Sequence, residues 1–286
     1  MKRILVLISA LTLASTANAW LFNKEDLKQN VDEQVRLYAS TGASKLSVIP
    51  VTLIVKTKFE DQSYDYDEHE DTVEKDCSAV VINPNYLLAS QYCKGLSDTA
   101  TYYTGNAIFG GKRKVEYRKV SGAYIGEEKI FKDRVRAKAV WEDNASKTIL
   151  IQIDAANEEM QKLLAGKPLA NLFIAKAGTE LSCVNKAVVS QDSEEVTDLQ
   201  CNEKGCVALP QKAKNGEPVF FLSQKAKNME FLAGFNTADV DGKKRESCRT
   251  YEVLNPAVET FLSKKIDPAI WPEVKRKIVD ESFFNK

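Results

Sequence analysis

The most restrictive feature of the sequence is the segment from Cys77 to Cys93, CSAVVINPNYLLASQYC, in which two apolar runs flank a short turn that contains Pro84. Residues 79–82 and 86–89 are rich in the aliphatic and aromatic side chains that favour strands. Two such runs joined by a tight turn predict an antiparallel hairpin. The hairpin would bring the two cysteines at its ends close together.

The first nineteen residues, MKRILVLISALTLASTANA, combine a basic start, an apolar run over residues 4–13 and small residues at Ala17 and Ala19. This pattern is typical of a secretory signal peptide that is cleaved before Trp20. The apolar run is too short for a membrane helix, and no later stretch has the roughly eighteen apolar residues that a span needs. We therefore predict an exported protein, periplasmic or secreted, with residues 1–19 as signal peptide and no membrane span.

Charge and cysteine content narrow the class of protein further. Forty basic and forty acidic residues balance in the full chain, and loss of Lys2 and Arg3 with the signal leaves a net charge near −2. This balance does not indicate nucleic acid or a membrane surface as the main partner. All six cysteines follow the signal, and an even number in an oxidising compartment predicts three disulfides.

Short apolar runs separated by turn-rich pieces dominate the mature chain. The predicted strands are residues 51–55, 148–153, 172–175, 183–189, 196–200, 219–222 and 231–235. Many short strands with frequent turns predict an all-β barrel or sandwich rather than a parallel α/β sheet. Helices are predicted from Asn23, within an N-terminal extension over residues 20–46, at 157–164, and again from Asn255 and from Asp267.

Two charged runs stand out against the balanced total. Residues 60–76 contain nine acidic side chains together with His69, the only histidine, but lack the spacing of an EF-hand, so that we predict a solvated acidic loop. Residues 112–138 contain ten basic and four acidic side chains. Such runs usually form solvated faces, and we interpret this one in the same way.

The opening hairpin resembles the histidine loop of chymotrypsin-like serine proteases, in which a cysteine, a strand, a turn with proline, a second strand and a His-Cys pair follow in order. Here Gln91-Tyr92-Cys93 stands at the end of that order. Further on, SKTILI at 146–151 is similar to the family's aspartate strand, NGEPVF at 215–220 to its serine segment, and FLAGF at 231–235 to the strand that follows. The resemblance covers roughly residues 47–266.

The resemblance implies an all-β, chymotrypsin-like double β-barrel with a C-terminal helix. The implied parts are a protease-homology domain at 47–266, with a first barrel at about 47–155, a second barrel at about 169–250 and a closing helix at 255–265. The helical extension at 20–46 and a short helical tail at 267–286 lie outside the resemblance.

Disulfide pairs are implied by the same likeness. The family closes the hairpin, which implies Cys77–Cys93, and its bracing of the pocket favours Cys206–Cys248, which leaves Cys183–Cys201. A second set remains open, in which Cys201 pairs with Cys206 across the NEKG turn and Cys183 pairs with Cys248.

The three catalytic roles of the family fall on unsuitable residues. The general base corresponds to Tyr92, the orienting aspartate to Lys147 and the nucleophile to Asn215, while the oxyanion-hole positions are Ala213 and Asn215. A phenol with a pKa of about 10 is a poor proton acceptor, a lysine cannot stabilise an imidazolium, and an amide is a very weak nucleophile.

The resemblance therefore implies an inactive homologue of trypsin-like serine proteases that binds a protein or peptide. No CxxC or HExxH pattern is present, and we expect neither a metal site nor a cofactor. Two alternatives stay open. One is an active serine endopeptidase with a rearranged catalytic site, involving His69 or the AKNGEPV stretch; the other is a structural component of an envelope or secreted assembly that docks through the N-terminal helix and the tail.

Overall fold

The structure is a computed structural model, and it describes eleven ranges of the chain. They are residues 47–61, 67–95, 100–104, 111–126, 135–175, 186–189, 196–202, 205–210, 214–223, 230–237 and 251–285. The predicted signal peptide and the predicted extension at 20–46, with the helix predicted from Asn23, lie outside these ranges. The described part is mostly β with few helices, as the sequence predicted.

The first half of the described chain forms an antiparallel sheet. Its strands are β1 (Val48–Asp61), β2 (Asp67–Asn83), β3 (Tyr86–Ser90), β4 (Ala100–Thr104), β5 (Gly111–Ile125), β6 (Val135–Arg136), β7 (Ala139–Asp143) and β8 (Thr148–Gln152). Within the described residues they pair in the order β4-β5-β1-β2-β3-β8-β7, and β6 pairs with β5. The predicted hairpin is β2–β3, with Val81 opposite Leu87 and Ala79 opposite Ala89.

A second sheet follows in the other half. Its strands are β9 (Asn171–Ile174), β10 (Lys186–Val189), β11 (Val196–Asn202), β12 (Gly205–Pro210), β13 (Pro218–Ser223), β14 (Glu230–Asn236), β15 (Tyr251–Val253) and β16 (Ile278–Asp280). Their order among the described residues is β10-β11-β12-β13-β14-β9-β16, and β15 pairs with β14. Strand β9 runs parallel to both of its neighbours, unlike the antiparallel pairs elsewhere in this sheet.

The helices of the described residues are short, and three of them follow the start signals at Asn157, Asn255 and Asp267. They are α1 (Glu158–Ala165), α2 (Ala257–Lys265), α3 (Trp271–Lys275) and the 3-10 helices Gln91–Lys94 and Glu281–Asn285. Helix α1 begins because the Asn157 side chain accepts a hydrogen bond from the free N–H of Met160 at 2.9 Å. None of the described helices has the length and apolar content to cross a bilayer.

The hairpin that β3 forms with residues 79–83 of β2 is buried on both of its faces. Val81 and Leu87 belong to the core of the first sheet. Val80 and Leu88 belong to a second core, which also contains Leu232 of the second sheet. A strand that is covered on both faces has no polar side to show, which explains why both hairpin strands are apolar without alternation. The hairpin is therefore a wall shared by the two cores.

The C-terminal helices close the second core. The apolar side chains of α2, Val258, Phe261 and Leu262, are all buried there. The chain after α2 continues into the same core through Val274, and β16 then pairs with β9. Residues 267–285 are thus packed on the rest of the chain.

The acidic run differs from its prediction as a loop. Residues 67–76 belong to β2 and pair with β1, and residues 70–76 are exposed. Part of the reason is that β1 supplies opposite charge: the Lys56 ammonium lies 2.6 Å from the Glu70 carboxylate. Cross-strand pairs of opposite charge favour a ladder that the apolar pattern alone would not predict.

Candidate functional site

The candidate site is centred on the turn Gln91–Lys94, which follows the second strand of the hairpin. The Ser90 hydroxyl accepts a hydrogen bond from the backbone N–H of Tyr92 at 3.1 Å, which caps the turn. Gly95, with a φ of 90°, ends it, and its N–H donates to the Tyr92 carbonyl at 3.2 Å. The backbone therefore fixes the place of Tyr92 from both sides.

A disulfide and an ion pair hold this turn on the first sheet. Cys93 is bonded to Cys77 of β2, with the two Cα atoms 5.5 Å apart. The Lys94 ammonium lies 2.8 Å from the Glu142 carboxylate of β7 and donates to the Arg118 carbonyl of β5 at 2.9 Å. Both charged side chains are largely buried, so the pair satisfies charges that would otherwise be costly to place there.

The segment at 214–217 is fixed to the second sheet by Asn236, at the end of β14. The N–H of Gly216 donates to the Asn236 carbonyl at 2.7 Å, and the N–H of Asn236 donates to the Glu217 carbonyl at 2.8 Å. The Asn236 amide also donates to the Lys214 carbonyl at 3.0 Å. One buried residue thus shapes the whole segment that carries Asn215.

Gly216 brings that segment into direct contact with the turn. Its φ of 80° is a conformation that glycine adopts without strain. A Cβ atom at this position would lie 3.0 Å from the Cys93 backbone nitrogen and would overlap the Cys93 sulfur. The Asn215 carbonyl oxygen lies 3.9 Å from the same sulfur, a packing contact, because a disulfide sulfur carries no proton. Tyr92 precedes Cys93 and Asn215 precedes Gly216 in the chain, so both residues lie next to the contact between Cys93 and Gly216.

Tyr92 makes the second link between the sheets. Its phenol oxygen donates to a Glu252 carboxylate oxygen of β15 at 3.3 Å. Burial raises the pKa of Tyr92 to about 12, and the charge and hydrogen bond of Glu252 act in the same direction. At neutral pH the phenol is therefore a neutral donor, and it has no capacity to act as a general base.

Sequence reasoning missed Glu252. It lies 160 residues from Tyr92 in the chain, and no motif marks it. The strand that carries it comes close to β14 because Gly234 has no side chain: a Cβ there would overlap the Glu252 carbonyl and would lie 2.9 Å from the Tyr251 ring. That ring is well buried, and burial raises the pKa of Tyr251.

Lys147 enters the site through its backbone. Its carbonyl accepts the N–H of Gln91 at 2.9 Å, and its side chain is exposed. Its φ of 56° is the left-handed conformation that often ends a short β-hairpin turn, here the one between β7 and β8. The ammonium replaces the expected carboxylate, but only the main chain of this residue is seen to bond to the turn.

Two buried polar atoms near the contact have no hydrogen-bond partner among the described residues. They are the Gln91 side-chain nitrogen and the Asn215 side-chain oxygen. Gln91 immediately precedes Tyr92 and is only 6 % exposed. Unpaired polar atoms are rare in protein interiors, and each one costs roughly 1–3 kcal/mol. The Gln91 side-chain nitrogen, a donor, is therefore buried without a partner next to Tyr92, and the Asn215 side-chain oxygen, an acceptor, is buried without a partner next to Gly216.

The remaining predicted site residues are Ala213 and the four cysteines other than Cys77 and Cys93. Ala213, Cys183 and Cys248 lie outside the described residues. The backbone register sets Cys201 of β11 opposite Cys206 of β12. The pairs Cys206–Cys248 and Cys183–Cys201 stay predictions, as does the open alternative. In the described ranges no group of three or more histidine, cysteine or carboxylate side chains has the arrangement of a metal site.

Comparisons with known proteins place the chain only distantly. No family model matches it, and no curated protein matches it. Among solved structures, it is similar to a protease from M. tuberculosis in its active form, at 10% identity, with 78% of this chain and 82% of that chain covered and a TM-score of 0.34. It is also similar to an inactivated protease paralogue of the scabies mite, at 10% identity, with 79% of this chain and 96% of that chain covered and the same TM-score. Both of these structures are proteases, and at this TM-score neither assigns a role to a residue of this chain.

Proposed function

We propose that the chain is an exported, inactive homologue of trypsin-like serine proteases that binds a protein or peptide. The observation that carries this proposal is the contact between the hairpin turn and the segment at 214–217. It holds two of the three positions that the sequence resemblance marks as catalytic, and they carry a hydrogen-bonded phenol and an amide. Neither group activates a nucleophile at neutral pH.

The proposed architecture follows the same resemblance. In this proposal each described sheet is the wall of one barrel, the first at about residues 47–155 and the second at about 169–250 together with β15 and β16, and α2 is the closing helix. The extension at 20–46 and the signal peptide complete the proposal, with export to the periplasm or the exterior. The Cys77–Cys93 disulfide is consistent with an oxidising compartment.

The proposed binding region is the edge of the cleft that a double barrel would have around Tyr92, where Lys147 exposes an ammonium group. Rigid support from the disulfide and from Asn236 would keep the ordering cost of such binding low.

The alternative of an active endopeptidase would need another base, and His69 is the only histidine. It lies in β2 eight residues before Cys77, in a ladder with β1 that runs without a bulge. At 3.3 Å per residue this places His69 roughly 26 Å from Cys77 along the strand. A side chain cannot cover that distance to reach the turn.

Hydrolysis by the mature chain is the first test. We expect no labelling by a fluorophosphonate probe and no cleavage of a mixed peptide-substrate library, because no histidine lies near the site. Labelling of one serine, lost when that serine is replaced by alanine, would refute inactivity and favour the rearranged endopeptidase. Active trypsin in the same assay serves as the positive control.

Binding is tested separately, with peptides selected from a random display library on the immobilised mature chain. We expect Lys147→Glu to weaken selected peptides by about tenfold, because the exposed charge at the cleft edge is reversed. Lys162→Glu is the matched control, since Lys162 is also exposed but lies on α1. Equal binding to both variants, or selection of no peptide, would count against a peptide site in this cleft.

A further inference from the structure

The hydrogen bond between Tyr92 and Glu252 gives Glu252 the orienting role that the family resemblance implies for position 147. We propose that Glu252, carried by β15 of the second sheet, is the positioning carboxylate for the side chain at position 92. This inference rests on the proposed function only in taking position 92 as that of the general base. The contact itself is independent of any relation to proteases.

The geometry at Glu252 carries the first step. Its carboxylate oxygen accepts from the Tyr92 phenol at 3.3 Å, so a carboxylate meets residue 92 although the residue expected to supply one is a lysine. The side chain of Lys147 is exposed, and its carbonyl bonds to Gln91. The carboxylate that contacts Tyr92 therefore comes from β15 of the second sheet, and not from the turn between β7 and β8 of the first sheet.

The second step is that β15 is held firmly where Glu252 needs to be. In the ladder, Glu252 is opposite Phe235 and Val253 is opposite Gly234. Directly after the strand, the N–H of Leu254 donates to the Ala233 carbonyl at 2.9 Å. A side chain at Gly234 would push the strand away, so the absence of one is what allows this approach.

Charged groups on the neighbouring elements do not replace this carboxylate. Lys94 on the same turn is paired with Glu142. Lys147 and Lys214, on the two adjoining segments, are exposed cations, and Glu217 lies beyond Gly216. Cations near position 92 would disfavour a positive charge there, so any attraction felt by such a charge should come chiefly from Glu252.

A positioning carboxylate has a consequence for any imidazole placed at position 92. A histidine is shorter than a tyrosine, so its ring would lie farther from the carboxylate than the phenol hydroxyl does, but the nearby negative charge would still favour the protonated ring. The site would then retain the support for a general base although it has lost the base itself.

The test compares Tyr92→His with Tyr92→His/Glu252→Gln, using NMR titration of the histidine rings. The full-length mature protein has only one other histidine, His69, which is roughly 26 Å away along β2 and serves as an internal reference. We expect the pKa of the new histidine to fall by about one unit or more when Glu252 becomes glutamine, while that of His69 stays the same. The same pKa at position 92 in both variants would overturn the proposal.

A second measurement covers the case in which a histidine at position 92 prevents folding. The single variants Tyr92→Phe and Glu252→Gln and their double variant are compared by urea unfolding near pH 7. We expect the double variant to unfold at nearly the same urea concentration as the less stable single variant, since both single changes break one interaction. Fully additive shifts would contradict the pairing. Neither experiment measures peptide binding or hydrolysis, so failure here leaves the proposed function to its own tests.

Discussion

At the scale of single residues, the site depends on two glycines and one asparagine. Gly216 lets the segment at 214–217 touch Cys93, Gly234 lets β15 approach β14, and Asn236 shapes the segment with three hydrogen bonds to its backbone. None of these three residues has a side chain that sequence analysis would select as catalytic. Their role is to set distances between residues that do carry such groups.

Gly216→Ala should destabilise the protein strongly. The substitution adds a positive-φ strain of about 1–2 kcal/mol and a clash with Cys93 that costs about 1–3 kcal/mol more. Urea unfolding of the two proteins measures the loss. Gly166→Ala is the matched control: Gly166 has a φ of −84° and an open position for a Cβ, so we expect no loss there. Equal stability of the two alanine variants would mean that the contact with Cys93 is absent.

Gln91→Met should raise stability by about 1–2 kcal/mol, because it replaces a buried, unpaired amide by an apolar side chain of similar length. Gln161→Met should instead lower it slightly, since the Gln161 amide donates to the Asn85 side chain at 3.3 Å. Thermal unfolding of both variants checks the comparison. A loss of stability in Gln91→Met would show that the amide has a partner in solution.

The Tyr92 phenol should make stability pH-dependent in the alkaline range. Its pKa is about 12 in the folded protein and about 10 in the unfolded chain, so the stabilisation is complete below pH 10 and is lost as the pH rises toward 12. Tyr92→Phe should therefore lack this loss, so that the gap in stability between the wild type and Tyr92→Phe should shift against the wild type between pH 10 and 12. A gap that is constant across this range, in urea unfolding at each pH, would argue against a raised pKa.

At the scale of elements, the hairpin β2–β3 with its disulfide is the part that the sequence describes best. Its strands, turn and cysteines are local features, and the structure contains both the hairpin and the Cys77–Cys93 bond. Helix α1 is predicted equally well, because its cap is encoded by Asn157 itself. Local signals suffice where the stabilising partner is a few residues away.

Removing the disulfide should lower the free energy of unfolding by about 3 kcal/mol, through a gain in freedom of the unfolded chain across a separation of 16 residues. The variant is Cys77→Ala/Cys93→Ala, which leaves no unpaired thiol at this site. Urea unfolding with and without reductant gives the measurement, and reductant should affect the double variant less than the wild type. An unchanged stability in the double variant would contradict this role for the bond.

At the scale of the whole molecule, the two sheets are joined by a shared core and by the contacts around Cys93 and Tyr92. The tail also belongs to this joining: Val274 is buried in the shared core, and the N–H of Asp267 donates to the Tyr86 hydroxyl of β3 at 3.1 Å. The sequence places residues 267–286 outside the family resemblance, as a tail that docks on a partner in one alternative, and that docking stays a prediction. The packing adds a structural role for residues 267–280.

Deletion of residues 267–286 should therefore destabilise the chain by about 4 kcal/mol, because the buried Val274 contributes about 1.5–3 kcal/mol and the partly buried Ile270, Trp271 and Ile278 add to it. Deletion of residues 281–286 alone is the milder comparison, because Phe283 is 42 % exposed although it contacts the Phe231 ring. Circular dichroism with thermal unfolding compares the three chains. Full retention of stability without residues 267–286 would restore the view of an independent tail.

What the sequence could not predict is long-range. The ladder of residues 67–76 depends on β1 for its charge pairing, and the link from Tyr92 to Glu252 spans 160 residues. The same holds for Asn236 and the segment it shapes. No local pattern encodes such partners, because each residue alone has an ordinary preference and only the fold brings the two together. The candidate centre could be located from sequence, but its carboxylate could not.

The parallel position of β9 also governs the order in which this chain can assemble. Strand β9 ends at Ile174, but its neighbours β14 and β16 begin only at Glu230 and Ile278. During synthesis β9 must wait for almost the whole chain before it gains a partner on both edges. Pairings between residues so far apart in sequence form slowly. The second sheet is therefore completed only after β16 has been made, and a chain cut short before β16 leaves β9 without that partner.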